Sequence, residues 1–189
     1  MDYIPKTGDI IFEDSDKTGP KVVKYLMRSP TIWQDIFRLI TGKIKQSEYY
    51  HPAMVFNSSR SIEQQKVVQF DDLVDELKQK KIIIFRRKNM IRPEEEGELQ
   101  HLSASELGQP WGYVNLFGKF GTWLTGIKLF GRYIKRPNEE VSALRVARWF
   151  YKVFGEKFGE KDYRDNTTQT MVTYCLNHPE KYEMVYKKG

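Results

Sequence analysis

Short β-branched runs, each flanked by charged or turn-forming residues, dominate the first half of the chain. Gly8-Asp9-Ile10-Ile11-Phe12, His51-Pro52-Ala53-Met54-Val55-Phe56, Lys66-Val67-Val68-Gln69-Phe70 and Lys81-Ile82-Ile83-Ile84-Phe85-Arg86 each predict a strand. Between the last two runs, residues 71–79 place Leu73, Val74 and Leu77 on one face behind acidic residues, which predicts a short amphipathic helix. Trp33, Ile36, Phe37 and Ile40 recur at helical spacing before Gly42, so residues 20–47 predict a helical insertion lying over the sheet.

Beyond Arg87 the period becomes helical. Pro93 suits a first helical turn, three Glu follow it, and Leu99 and Leu102 precede a stop at Gly108. A second helix opens at Asn138-Glu139-Glu140, carries Leu144, Ala147, Tyr151 and Phe154 on one side and ends at Gly155. A third opens near Asp165-Asn166-Thr167 and closes between Asn177 and Pro179. Strands early and helices late define an α+β class.

The chain has 189 residues, a length for one domain over 1–189 that can bury a core without disulfides or a structural metal. One Cys excludes a disulfide framework and cysteine-rich zinc modules, and no cofactor or metal ligand set is read from the spacing. The start, MDYIPKTGDIIF, lacks the basic end and apolar run of a signal peptide, and no window reaches the roughly 18 apolar residues of a transmembrane helix. The expected location is therefore cytoplasmic.

The net charge of +6 is local. Residues 108–136 contain no acid, whereas Lys119, Lys128, Arg132, Lys135 and Arg136 lie among Trp111, Tyr113, Phe117, Phe120, Trp123, Phe130 and Tyr133. This aromatic basic segment reads as a core-covering helix with a solvated fringe, or as a flap from Trp111 to Arg136 making peripheral contact with a membrane or an acyl chain. Nucleic acid is disfavoured as a partner, because the rest of the chain is nearly neutral and the aromatics are interleaved with Leu and Ile.

With three His and one Cys, candidate chemistry is confined to few positions. His101 falls on a polar helix face and His178 at a helix break before Pro179. His51 opens a strand, where a side chain can project from a rigid edge and serve as a general base.

The order of Gly8 to Phe12, His-x-Ala-x-Val-Phe at 51–56, a β-run containing Gln69, Ile83-Ile84-Phe85-Arg86 and Leu107-Gly108-Gln109-Pro110-Trp111 resembles the circularly permuted branch of the NlpC-type papain-like hydrolases, the YiiX-type and lecithin retinol acyltransferase-like proteins. The resemblance spans residues 8–172. It implies a papain-like fold, a small antiparallel sheet or barrel with helices packed on it. It also implies a Cys-His-type hydrolase or acyltransferase acting on an amide or ester bond of a small molecule, lipid, peptide or cell-wall fragment. In that pattern His51 takes the place of the base and Gln69 that of the residue orienting it. Asp9, Tyr50, Trp111 and Tyr113 take places beside the substrate.

The nucleophile departs from the pattern. Thr168-Gln169-Thr170-Met171-Val172 aligns with the family's Cys-Ser-Glu-Leu-Val-like motif, so Thr168 stands where the Cys is expected, or Thr167 after a one-residue slip. The sole cysteine, Cys175, comes seven residues later, about 10 Å along a helix. Three arrangements are open: Cys175 as nucleophile on a helix that starts later, Thr168 as a weaker hydroxyl nucleophile, or a binding module that keeps the fold without thiol chemistry.

Overall fold

The computed structural model describes residues 3–13, 51–78, 81–89, 91–110, 120–121, 124–127 and 142–189. The helical insertion expected over 20–47, the helix opening expected at 138–140 and most of the aromatic basic segment lie outside these residues.

Six strands form one sheet: β1 (Ile10–Glu13), β2 (His51–Val55), β3 (Arg60–Gln64), β4 (Val68–Asp72), β5 (Ile82–Arg87) and β6 (Tyr182–Lys188). The order is β4-β3-β2-β1-β5-β6, antiparallel at every pairing. Among the described residues, helical elements accompany it at α1 (Leu73–Leu77), α2 (Pro93–Ala104), α3 (Ser142–Phe154), a 3₁₀ turn (Tyr163–Asp165) and α4 (Thr168–Asn177). The α+β class and the antiparallel sheet with helices packed on it are as expected.

Because successive strand residues point to opposite faces, the sheet carries two apolar surfaces. Ile10, Phe12, Met54, Ile62, Ile83 and Phe85 build the larger core with Trp149 and Phe150 of α3 and Met171, Val172 and Cys175 of α4. Ile11, Ala53, Val55, Ile82 and Ile84 face the other way and pack with Leu73 of α1. The first face therefore lies under α3 and α4, and the second under α1.

The resemblance motifs hold the scaffold together. Gly8 has φ +83°, a left-handed backbone conformation in which a side chain is strained. Asp9 is buried. Its carboxylate accepts hydrogen bonds from the Tyr3 hydroxyl, the Lys6 backbone N–H and both Nε and Nη2 of Arg86, tying the Gly-Asp motif to the end of β5. At the Leu-Gly-x-Pro turn, Gly108 N–H donates to the Val68 carbonyl and Val68 N–H to the Gln109 carbonyl, both at 2.9 Å, which docks the turn on β4. Buried Arg145 of α3 donates to Glu106, Gln109 and Gln64, fastening that helix to the turn after α2 and to β3.

Two strands are absent from the sequence reading. β3, Arg60-Ser61-Ile62-Glu63-Gln64, has a single aliphatic residue, and β6, Tyr182-Glu183-Met184-Val185-Tyr186-Lys187-Lys188, is a mostly exposed edge strand that lacks a regular apolar alternation. Both hydrogen-bond into a ladder whose apolar content lies mainly in their neighbours.

Candidate metal centre

The antiparallel register of β1 and β2 sets Glu13 directly opposite His51. Both project from the second face, in line with Ile11 and Ala53. Glu63 reaches the same point from β3, and the His51 Nε2–H donates to its Oε2 at 2.7 Å. The three are closed off from solvent, with exposures of 3% for Glu13, 4% for His51 and 2% for Glu63.

Glu63 also borders a second group. Asp71, at the end of β4, lies opposite Ser61 in register and so shares this face. The next residue, Asp72, caps α1 by accepting from Val74 N–H at 2.8 Å and turns the chain back under the sheet. That turn carries Glu76 to the Ser61 hydroxyl, which donates to its Oε1 at 2.8 Å. One donor atom from each of Glu13, His51 and Glu63 lies within 4.8 Å of the other two, and the same holds for Glu63, Asp71 and Glu76.

The electrostatics follow from this crowding. Burial pulls the His51 pKa down, but the hydrogen bond and charge of Glu63, with the charges of Glu13 and Glu76, more than reverse it and hold the ring protonated. Burial likewise pushes Glu63 up, and the hydrogen bond and charge of His51 overcome that, keeping it ionised. At Glu76, burial and then the charges of Glu63 and Glu13 push the carboxyl up to about 8, while the Ser61 hydrogen bond and the charge of His51 pull it down but do not prevail.

The expected catalytic residues do not all meet. Gln69 lies opposite Glu63 in register but donates to Asp71, at 3.0 and 3.2 Å, and Glu63 takes the orienting position on His51. Thr168 and Cys175 share the buried face of α4 with Met171 and Val172, which packs into the first core, whereas His51 projects from the second face. The helix does start at Thr168 with Thr167 as its cap, so Cys175 remains two turns from the N-terminus. Burial, with the charge of Glu156, pushes the Cys175 thiol up, opposite to what a thiolate nucleophile needs. Asp9 stands at the other end of β1 from Glu13, bound to Tyr3 and Arg86. Tyr50, Trp111 and Tyr113 lie outside the described residues.

Glu13, Glu63, Asp71 and Glu76 escaped the sequence reading. The usable signal was Asn57-Ser58-Ser59 directly after β2, a turn whose Asn57 side chain accepts from Ser59 N–H and Arg60 N–H. It announces a hairpin, and the returning strand puts the Glu of Ser61-Ile62-Glu63 on the face that His51 occupies.

Sheet and helices together define an α+β fold like that of a YiiX-type protein. The chain is similar to the crystal structure of the metalloprotein yiiX from Escherichia coli O157:H7, a DUF1105 protein, with a TM-score of 0.54 and 16% identity over 93% of this chain and 82% of that one. No family model matches the chain, and no curated protein matches it. Among the described residues, no helix is long and apolar enough to cross a membrane.

Proposed function

We propose that this chain is a metal-dependent hydrolase of amide or ester bonds, with a divalent cation held by Glu13, His51 and Glu63. The observation that carries the reading is the convergence of one imidazole and two carboxylates, all buried, at adjoining strand positions. An N/O donor set of this kind suits zinc, manganese or iron(II). Three protein donors leave coordination positions open, as catalytic sites do. The similar structure is that of a protein described as a metalloprotein, which supports the reading.

A cation there would supply Lewis acidity toward a carbonyl and an activated water. The residues' own part is to bind and orient. To hold a cation through Nε2, His51 would have to give up the proton it now donates to Glu63, so metal affinity would rise with pH. The Gln65 amide donates to Glu63 Oε1, fixing the carboxylate plane from outside. The substrate class stays that implied by the family resemblance, an acyl bond in a lipid, a peptide or a cell-wall fragment.

The test is hydrolysis of p-nitrophenyl acetate and an N-acyl peptide by chelator-stripped protein reloaded with Zn²⁺ or Mn²⁺. Turnover returns on reloading, is lost in His51→Ala, and persists in Cys175→Ala. Turnover that survives the chelator and vanishes in Cys175→Ala overturns the proposal. The burial of all three donors favours a second reading, a closed structural cation site. Tight metal uptake with no turnover on either substrate selects it.

A further inference from the structure

We infer that the centre is dinuclear: a second divalent cation lies among Glu63, Asp71 and Glu76, with Glu63 bridging the two ions. The inference rests on the metal reading above and extends it to residues that the first site does not use.

Glu63 belongs to both donor groups, and its two oxygens face different neighbours. Oε2 accepts from His51, on the side of Glu13, while Oε1 accepts from the Gln65 amide. The same Gln65 nitrogen donates to Asp71 Oδ2 at 3.2 Å, so Oε1 is held toward Asp71. A carboxylate presenting one oxygen to each of two donor groups is arranged as a bridge. Asp71 is itself steadied by the Gln69 amide, at 3.0 and 3.2 Å, which gives the residue expected to orient His51 a role around the second position.

Glu76 supplies the independent sign of a missing ligand. It is 5% exposed, its Oε1 accepts from Ser61, and among the described residues its Oε2 has no hydrogen-bond partner. A buried carboxylate oxygen without a donor is costly, and more so in a side chain that has one oxygen within 4.8 Å of an oxygen of Glu63 and one of Asp71. A cation at that point removes the cost. Paired ions about 3.5–4 Å apart are a recurring hydrolytic arrangement, in which they stabilise the attacking and leaving oxygens together.

The experiment uses the full chain, stripped with EDTA and dialysed against Mn²⁺, with metal content by mass spectrometry and coupling by electron paramagnetic resonance. Two Mn²⁺ per chain with an exchange-coupled spectrum are expected. Glu76→Gln should retain one, with an isolated six-line spectrum, and the exposed-site control Glu94→Gln should retain two. Far-UV circular dichroism in EDTA checks that Glu76→Gln folds; should it not, Asp71→Asn takes its place with the same expectation. One Mn²⁺ per chain in both native protein and Glu76→Gln overturns the second site and leaves the first. Two uncoupled ions, unchanged by Glu76→Gln, also overturn it. No bound Mn²⁺ in the native protein overturns both.

Discussion

Cys175 shows how a residue's surroundings override its reactivity in principle. It sits at 1% exposure among Met171, Val172, Phe158 and Tyr182, in the part of the core where α4 meets β6. A thiol there behaves as a small apolar group, and burial holds it protonated. The native protein should therefore resist iodoacetamide at pH 8 and become labelled only in urea, which mass spectrometry reads directly. Cys175→Ser should cost about 1–3 kcal/mol in urea unfolding, because it buries a stronger hydrogen-bonding group in an apolar site. Rapid labelling of the folded chain, or a neutral serine variant, would place the sulfur elsewhere. Thr168 has a structural reading as well: it lies in the first turn of α4 behind Thr167, whose side chain accepts from Thr170 N–H in a capping box.

At the scale of elements, what could be read in the sequence was whatever a strand or helix states locally. Ile82 to Arg86 forms a strand because its β-branched run satisfies two apolar faces at once, and Pro93 sits in the first turn of α2 where its missing N–H costs nothing. β3 is hidden because Ile62 is its one aliphatic side chain toward the core while Ser61 and Glu63 face the polar site, and three of the five donors in the two groups lie on β3 or beyond it, placed by register that composition does not reveal. The His51 motif was legible, but its partner was misassigned by one strand. The family-like motifs were also legible, yet Gly8, Asp9, Arg86 and Gly108 prove to fasten the sheet to its surroundings. The same logic predicts where this architecture is vulnerable. Glu106 accepts from both Arg145 at 2.5 Å and Arg148 at 2.7 Å, and Arg145 is 1% exposed. Glu106→Gln leaves a buried guanidinium without its counter-charge and should cost about 3–5 kcal/mol in urea unfolding. The surface Arg92–Glu95 pair is the internal contrast, and Glu95→Gln there should leave the urea unfolding midpoint close to that of the native protein.

Taken as a whole, the molecule divides its labour across the thickness of one sheet. The face under α3 and α4 carries the aromatic core, and the opposite face gathers polar donors from β1, β2, β3, β4 and α1. Those five elements meet there through acids and one imidazole beside the smaller apolar cluster of Ile11, Ala53, Val55 and Leu73, so a cation would add a bridge between segments from Glu13 to Glu76. Ligand bound to the folded state alone stabilises by RT ln(1 + [L]/Kd), about 2.7 kcal/mol at a hundredfold excess over Kd. For a chain of this length each kcal/mol moves Tm by roughly 2–4 °C. Saturating Zn²⁺ or Mn²⁺ should therefore raise Tm by about 5–10 °C over the EDTA-treated protein in differential scanning calorimetry, and the rise should continue with the logarithm of free metal above Kd. His51→Ala should flatten that dependence, whereas Cys175→Ala, on the far face, should reproduce it from a lower starting Tm. A native Tm indifferent to both chelator and metal would mean that these donors compensate one another through shared protons alone, and the polar face would then be a buried hydrogen-bond network with no cation to organise it.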